Sequence, residues 1–313
     1  LEQMVNILKD NSNVNWYGVN SLDEAQAIIE IDTSRPILVM GYTHPSHIPD
    51  NIKEQIRFVV STKHDIAQIN RLEKNIKVHL KVDTGMGRLG TKQEDIIELL
   101  HTVEKYQYIE IEGIMSHFAN IEDVLEQDYA QKQLQLFDTI KKEITQAFPE
   151  NKHIFHIAAS GATLLLPESH YDMVRIGISL YGLWPSKPTK LSAFNIYNKE
   201  LKLKPALSWK TKLIHIHSVK KEDSIGYGCT YTAPCDMTIG VIPVGYDEGY
   251  NRLLSNNSSV IIKGERCPVI GRICMNMSMV DISHLNDVQT GDIVTLIGKD
   301  NHQEITAEEL AEK

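Results

Sequence analysis

Short apolar runs alternate with segments of helical spacing between residues 16 and 178 of the chain. Runs of this length, each followed by a helix-like pattern, are typical of repeated strand–helix units whose strands form a parallel sheet. The sequence therefore predicts an α/β domain here. The seven runs are Trp16–Val19, Ile37–Met40, Phe58–Ser61, Val78–Val82, Ile111–Ser116, Phe155–Ala158 and Met173–Ile178.

Helix signals lie between these runs. Ser21 with Glu24, and Thr91 with Glu94, have the spacing of capping boxes, which predicts a helix start at each pair. A stripe of apolar positions predicts a further helix between the fifth and sixth runs. That stripe consists of Leu134, Phe137, Ile140 and Ile144.

Both ends of the sequence fall inside predicted helices. The chain opens in an amphipathic pattern from Leu1 to Leu8, and a capping box of Thr306 and Glu309 lies close to its last residue. We therefore expect a fragment of a longer protein, with one more strand before Leu1. Eight strands would close a TIM-like (β/α)8 barrel, and an open doubly wound sheet is the alternative.

After Pro188 the pattern changes to longer alternating runs separated by turns, which is typical of antiparallel sheet. The sequence thus predicts two domains, a (β/α)8 barrel over residues 1–196 and a mostly antiparallel β-domain over residues 197–313. The runs of the second domain are Leu207–Val219, Met237–Val244, Val260–Ile262, Val269–Met275 and Ile293–Ile297.

Composition excludes several classes of protein. The 313 residues are 42% hydrophobic and 23% charged, and no apolar run suggests a membrane span. A net charge of -9 without a basic stripe argues against nucleic acid and favours small-molecule ligands. The 4 cysteines lack C-x-x-C spacing and the 13 histidines lack zinc-ligand spacing, so we expect reduced thiols and no metal site. No signal peptide is apparent.

The segment KVDTGMGRLG, residues 81–90, contains the pattern G-x-G-x-x-G. This is nominally a dinucleotide-binding motif, but that fold needs its helix to begin inside the glycine run. Here the capping box at Thr91 places the helix start after the last glycine. Lys81 and Asp83 are polar residues on a barrel strand, and such residues line the carboxyl-end face where barrels carry their chemistry. We interpret Arg88, in the same loop, as aimed at an anion.

A phosphate site is predicted on the same face. In (β/α)8 enzymes phosphate often lies in the loops after the last two strands, where backbone N–H groups bind it. The chain has Ser160 after one of these predicted strands and Gly177 at the end of the other. Arg175 and His117 are predicted nearby, and their coincidence with Arg88 favours a phosphate ligand.

The whole chain resembles alanine racemase, a family of fold-type III enzymes that use pyridoxal 5′-phosphate (PLP). The matching blocks, in the family's order, are KVDTGMGRLG, MSHFA, HIAASGAT, MVRIGISLYG, IGYGCTYTA, VIPVGYDEGY and GRICMNMSMVD. The resemblance implies a barrel that carries PLP, a β-domain that supplies a second catalytic base, and a head-to-tail homodimer. It also implies a small amino-acid substrate.

The resemblance implies three catalytic residues. Tyr227 matches the tyrosine that acts on L-alanine from the cofactor face opposite the lysine that holds PLP. His117 matches a histidine that hydrogen-bonds this tyrosine, because a phenol with a pKa near 10 must be stabilised as phenolate to act at neutral pH. Arg175 matches the arginine that donates to the pyridine nitrogen, and since arginine keeps its proton, that nitrogen stays unprotonated.

The resemblance also implies binding residues. Arg88 matches an arginine near the substrate carboxylate, and Lys81 matches a lysine that is carbamylated in many members. Met275 matches a backbone N–H contact to the substrate carboxylate, and Tyr246 matches a tyrosine that lines the substrate entrance. The family's phosphate contacts match Ser160, Gly177 and Ile178.

The chain departs from the family pattern at several points. The PLP lysine of the family has no counterpart in this sequence, so we expect the full-length protein to be a racemase and this chain alone to be inactive. Asn276 stands where many members have aspartate, and Ala159 where many have asparagine, which leaves substrate preference open. The product, D-alanine, would supply peptidoglycan synthesis in a bacterial cytoplasm.

Other functions remain possible at this point. A serine or broad-specificity amino-acid racemase would share every matching block. A non-catalytic PLP-binding protein would lack the C-terminal β-domain with its tyrosine block. A PLP decarboxylase would use a cysteine and an aspartate from blocks that do not occur in this sequence.

Overall fold

The computed structural model describes residues 1–121 and 128–313. The chain divides into two compact units, one formed by residues 1–178 and 185–201 and the other by residues 179–184 and 202–313. The sequence-based boundary between residues 196 and 197 lies five residues before the change at 201.

A parallel sheet forms the centre of the first unit, with six strands in sequence order from β1 to β6. Each strand pairs in parallel with the next, as when Val39 faces Phe58 and Phe58 faces Val78. The predicted TIM-like α/β architecture is confirmed as a parallel half-barrel. The strands are β1 Tyr17–Val19, β2 Ile37–Val39, β3 Ile56–Val60, β4 Ile76–Lys81, β5 Ile109–Met115 and β6 Ile154–His156.

One helix precedes the first strand, and the others lie between strands or follow the last of them. They are α1 Glu2–Leu8, α2 Leu22–Ile29, α3 Lys63–Asn70, α4 Gln93–Val103, α5 Asp128–Ala147, α6 Ser160–Leu165 and α7 Lys187–Tyr197. None of the helices in residues 1–121 and 128–313 combines the length and the apolar character needed to cross a bilayer.

The prediction that Met173–Ile178 forms a strand is wrong. Only one isolated parallel bridge forms there, between Ala159 and Arg175, where the Arg175 N–H donates to the Ala158 carbonyl at 3.0 Å. The ladder stops because the Gly177 N–H donates to the Ser160 hydroxyl, at 3.0 Å, instead of to a strand carbonyl.

Two of the three capping predictions hold in whole or in part. Ser21 and Glu24 form the complete box at the start of α2. Thr306 accepts from the Glu309 N–H at 3.0 Å, but the Glu309 carboxylate pairs with Arg266. The box at Thr91 is wrong, since the Thr91 hydroxyl donates to the Ser61 carbonyl and α4 begins two residues later without a side-chain cap.

The second unit is mostly antiparallel, as predicted. Its main sheet has the order β16-β15-β12-β13-β14-β11-β8, with β7 beside β15, and β9 and β10 form a separate pair. The strands are β7 Trp209–Lys212, β8 His215–Val219, β9 Ser224–Ile225, β10 Tyr231–Thr232, β11 Met237–Ile242, β12 Ser259–Ile262, β13 Glu265–Ile270, β14 Ser278–Asp281, β15 Ile293–Asp300 and β16 Gln303–Ile305, and α8 Ala307–Ala311 follows them.

Two predicted runs of this unit are shorter or divided. The run Leu207–Val219 splits at Leu213, because β7 pairs with β15 whereas β8 pairs with β11. The run Val269–Met275 ends as a strand at Ile270, and Gly271 follows with a φ of +71°, a conformation that glycine adopts readily.

The apolar stripe of α5 carries much of the first unit's core. Leu134, Phe137, Ile140 and Ile144 are all buried, as their spacing predicted. Phe137 is fully buried, and its ring packs edge-on against Tyr171 at 5.2 Å and lies 6.3 Å from Phe155. This contact fixes α5 on the sheet.

We therefore expect Phe137→Ala to lower the free energy of unfolding by about 3–5 kcal/mol, the usual effect of truncating a buried phenylalanine. Chemical denaturation measures this change. Phe194→Ala, at an α7 position that is 52% exposed, is the control and should change it by less than about 0.5 kcal/mol. Equal losses in the two variants would contradict the assignment of this core.

Candidate functional site

A cavity of about 790 Å³ opens at the carboxyl ends of the first unit's strands. It brings together every site residue that the sequence predicted in this unit. They are Lys81, Arg88, His117, Ser160, Arg175, Gly177 and Ile178.

The glycine-rich loop folds back on the strand that precedes it. The Asp83 carboxylate accepts from the N–H groups of Gly85 and Gly87 at 3.0 and 3.1 Å. A Cβ at Gly90, whose φ is +146°, would lie 2.5 Å from the Asp83 nitrogen, so only glycine allows this approach. The glycines therefore shape the loop that carries Arg88 into the cavity, and the dinucleotide interpretation has no support from this geometry.

Arg175 is a half-buried cation whose guanidinium is surrounded by hydrogen-bond acceptors. Its guanidinium donates to the carbonyls of Ser116 and Ile157 at 2.8 and 3.0 Å, and to Nδ1 of His156 and of His117 at 2.6 and 3.3 Å. Burial lowers the pKa of Arg175 to about 10, which leaves it charged at neutral pH. No carboxylate among the described residues lies within ion-pair distance of it.

His117 is neutral in this environment. Burial is the main cause that lowers its pKa to about 4, and the nearby positive charges of Arg175, Arg88 and Lys81 add to the effect. Arginine can only donate, so Nδ1 of His117 must be the acceptor that faces Arg175. The proton of the neutral ring is then on Nε2, which makes His117 a hydrogen-bond donor through that atom.

Lys81 completes a group of three cations at the cavity. It is the last residue of β4 and is buried, and this burial lowers its pKa. The charges of Arg88 and Arg175 lower it further, while Asp83 opposes them. Cations held this close repel one another, so the cavity favours an anionic ligand that would relieve the repulsion.

Ser160 and Gly177 meet at one edge of the cavity. The Ser160 hydroxyl accepts from the Gly177 N–H at 3.0 Å. A Cβ placed on Gly177 would find only this hydroxyl within 4 Å, at 3.9 Å, so the backbone here is open to a ligand. Backbone N–H and hydroxyl groups are the usual contacts of protein-bound phosphate.

The other three predicted residues lie in the second unit. Tyr227 is 71% exposed and, with Cys274, lines a separate cavity of about 440 Å³. Tyr246 and Met275 lie on adjoining loops, because the Tyr246 N–H donates to the Cys274 carbonyl at 3.1 Å. Both side chains are exposed.

Sequence reasoning missed two buried histidines behind the cavity. His156 accepts from Arg175, and His79 in turn lies 2.7 Å from His156. Both are fully buried on strands β6 and β4. A histidine within a predicted strand of a buried parallel sheet was the available signal, since a buried polar side chain needs a partner.

Comparison with known proteins gives a consistent family. The family described as "Alanine racemase, N-terminal domain" matches residues 2–185, and "Alanine racemase, C-terminal domain" matches residues 206–313. An alanine racemase of Leptospira interrogans is 42% identical over 298 residues, which cover 95% of this chain and 76% of that protein.

Solved structures agree with these matches. An alanine racemase of Clostridium difficile 630 has a TM-score of 0.87 and 32% identity, covering 99% of this chain and 79% of that one. A histidine racemase from Leuconostoc mesenteroides subsp. sake has a TM-score of 0.82 and 29% identity, covering 100% of this chain and 82% of that one.

Removing a neighbouring cation should raise the pKa of His117. In Arg88→Met one positive charge is lost, so protonation of the ring becomes less unfavourable and the pKa rises above about 4, while burial keeps it below 6.5. An NMR titration of the His117 ring measures the shift. Lys92→Met, which removes an exposed cation outside the cavity, is the control. A His117 that titrates near 6.5 in the unmodified protein would refute the assignment.

Proposed function

The chain belongs to the alanine racemase family, and from this premise we propose that the full-length protein interconverts L-alanine and D-alanine with PLP as cofactor. The observation that carries the proposal is the cationic cavity of the first unit. Residues distant in sequence meet there with the chemistry that a phosphorylated cofactor and a carboxylate substrate require.

The cavity fits PLP. Ser160, Gly177 and Ile178 would hold its phosphate, because the backbone at Gly177 is open and the Ser160 hydroxyl adjoins it. Arg175 would donate to the pyridine nitrogen. The chemistry that PLP supplies when bound is withdrawal of electrons from the α-carbon of an amino acid, which makes the proton on that carbon removable.

Arg175 would control the strength of this electron withdrawal. A guanidinium with a pKa of about 10 donates a hydrogen bond without transferring its proton at neutral pH. The ring nitrogen of bound PLP would therefore stay unprotonated, and side reactions that need a stronger electron sink would be suppressed. Arginine suits this position because it is a donor that does not act as an acid.

Arg88 would bind the substrate carboxylate from the first unit. The Met275 N–H would contact the same group, and Tyr246 would line the entrance. We propose that Lys81, carbamylated on its amine, steadies Arg88. Its burial and its lowered pKa support this, since only the unprotonated amine reacts with carbon dioxide.

Tyr227 would hold and transfer the proton on one face of the substrate. Racemisation needs a base on each face of the α-carbon, and a phenol can act as one only where its phenolate is stabilised. The neutral His117, which carries its proton on Nε2, is suited to donate to that phenolate. We propose that a second chain, packed head to tail, brings its own Tyr227 to the cavity, and the 71% exposure of this side chain supports the proposal.

The biological setting follows from the family. We propose that the protein supplies D-alanine for cell-wall synthesis in a bacterial cytoplasm. A role as a non-catalytic PLP-binding protein is disfavoured, because residues 206–313 match the family's C-terminal domain and carry the tyrosine block.

Substrate choice is the main alternative within this fold. The structural likeness to a protein named as a histidine racemase supports an alternative in which the substrate is not alanine, and a serine or broad-specificity racemase would have the same blocks. Asn276 and Ala159 are the departures that bear on the choice.

A kinetic panel tests the substrate. We expect the full-length protein with PLP to racemise L-alanine with a kcat/KM at least about tenfold above that for L-serine or L-histidine, since one added polar group is enough for such discrimination. Chiral analysis of the products measures the rates. Turnover of serine or histidine equal to that of alanine would overturn the assignment.

The two-base assignment is tested by Tyr227→Phe in the full-length protein. Exchange of the α-proton of L-alanine with D2O should fall by about 10² to 10⁴, the usual effect of losing a general base, while exchange from D-alanine continues. Tyr231→Phe, in the same sequence block, is the matched control and should leave both rates unchanged. Near wild-type exchange of both enantiomers in Tyr227→Phe would refute the assignment.

A further inference from the structure

A line of polar groups runs from Arg175 through two buried histidines to Glu112. Arg175 donates to Nδ1 of His156 at 2.6 Å, and Nε2 of His156 lies 2.7 Å from Nδ1 of His79. Nε2 of His79 faces the Glu112 carboxylate at 3.6 Å, which is an electrostatic contact longer than a hydrogen bond. Both histidines are fully buried.

The two ends of this line fix the direction of every hydrogen bond in it. Arg175 can only donate, so Nδ1 of His156 accepts and its Nε2 carries the proton. That proton points at Nδ1 of His79, which must therefore accept and carry its own proton on Nε2. The Glu112 carboxylate can only accept, so it favours this arrangement from the other end.

The carboxylate at the far end is firmly held and ionised. Arg57 binds both oxygens of Glu112, at 2.8 and 3.1 Å, and Lys77 contacts it at 3.1 Å. Burial alone would raise the pKa of Glu112, but its contacts with His79, Arg57 and Lys77 bring it well below its usual range. Burial also keeps His79 and His156 neutral by lowering their pKa.

The backbone around Glu112 is adapted to this arrangement. The register between β4 and β5 shifts there, since Val78 faces Ile111 whereas His79 faces Gly113, which leaves Glu112 as an extra residue. Such bulges re-aim a side chain and are uncommon in parallel pairs. A Cβ at Gly113 would lie 2.6 Å from Nδ1 of His79, so glycine makes room for the ring.

We propose that Glu112 and His79 are positioning residues for Arg175. The Glu112 charge orders His79, His79 orders His156, and His156 thereby presents its lone pair to the guanidinium and holds it toward the cavity. The inference rests on the proposed function in one respect, because the effect on catalysis requires that Arg175 contact the cofactor.

The expected protonation of His79 and His156 can be observed without cofactor or substrate. In the full-length protein labelled with ¹⁵N-histidine and ¹⁵N-arginine, NMR should show His79 and His156 protonated at Nε2 and bare at Nδ1. Both N–H protons should exchange slowly with water, because both rings are buried. Protonation of either ring at Nδ1 would overturn the proposal before any variant is made.

Glu112→Gln tests whether the Glu112 charge affects His156 and Arg175 through His79. The substitution keeps the shape of the side chain and removes its charge, so the ring signals of His79 should shift, followed by those of His156 and the guanidinium signals of Arg175. We expect kcat for alanine to fall by about tenfold with little change in KM, the order of effect that follows loss of a partner outside the groups in direct contact with the ligand. A shift confined to His79 would overturn the proposal.

Two controls separate positioning from stability. Glu110→Gln removes the other carboxylate that contacts Lys77, also at 3.1 Å, yet Glu110 does not face His79. Asp32→Asn breaks a buried ion pair with Arg35, at 2.8 Å, elsewhere in the same unit. Both variants should leave the signals of His156 and Arg175 and kcat unchanged, and Asp32→Asn should lower the melting temperature.

The outcomes distinguish this inference from the proposed function. If the wild-type protein racemises no amino acid but the Glu112→Gln shifts reach Arg175, the proposed function fails and the ordered line stands. If alanine is racemised and Glu112→Gln changes neither the Arg175 signals nor kcat, the inference fails and the proposed function stands. Equal effects of Glu112→Gln and Asp32→Asn on kcat would also refute it.

Discussion

A half-buried guanidinium that has no carboxylate partner within residues 1–121 and 128–313 is the constraint on which the cavity depends. Burying an unpaired charge is costly unless its donors are satisfied. Arg175 meets this condition with two peptide carbonyls and two imidazole nitrogens, all of them neutral. Its charge is therefore solvated by the protein without being cancelled, and it remains available to a ligand. A carboxylate in the same place would have closed the site to anions.

Much of the fold could be predicted from local patterns, and the failures have physical causes. The α5 stripe and the box at Ser21 depend on residues three or four apart, so spacing alone identified them. The segment around Arg175 has the composition of a strand, but the Gly177 N–H is diverted to Ser160, far away in sequence. Thr91 failed as a cap for the same reason, since its hydroxyl finds Ser61. Local patterns cannot reveal which residue distant in sequence takes the hydrogen bond that a strand or a helix cap would need.

Some site residues could be predicted from the sequence itself, others only from the family resemblance, and one contact could not be predicted at all. Lys81 could be found because it is a charged residue at the end of a strand, and Arg88 because it lies in the glycine-rich loop that follows. The roles of Tyr227 and Met275 came only from resemblance, since an exposed tyrosine or methionine in isolation suggests no chemistry. The link from Glu112 to His79 was out of reach, because it depends on a register shift between two strands that neither strand shows by itself.

The same environment leaves Arg175 charged and its neighbour His117 neutral, and the proposed chemistry uses both states. Burial lowers the pKa of Arg175 and of His117 alike. Arginine begins so high that a pKa of about 10 still leaves it charged, whereas histidine begins near neutrality, and a pKa of about 4 leaves it uncharged. The cavity thus holds a permanent cation beside a neutral donor. A histidine in place of Arg175 would be uncharged in this environment. A lysine would keep the charge but could not donate to the histidines and the carbonyls from two separate nitrogens, so arginine suits this position.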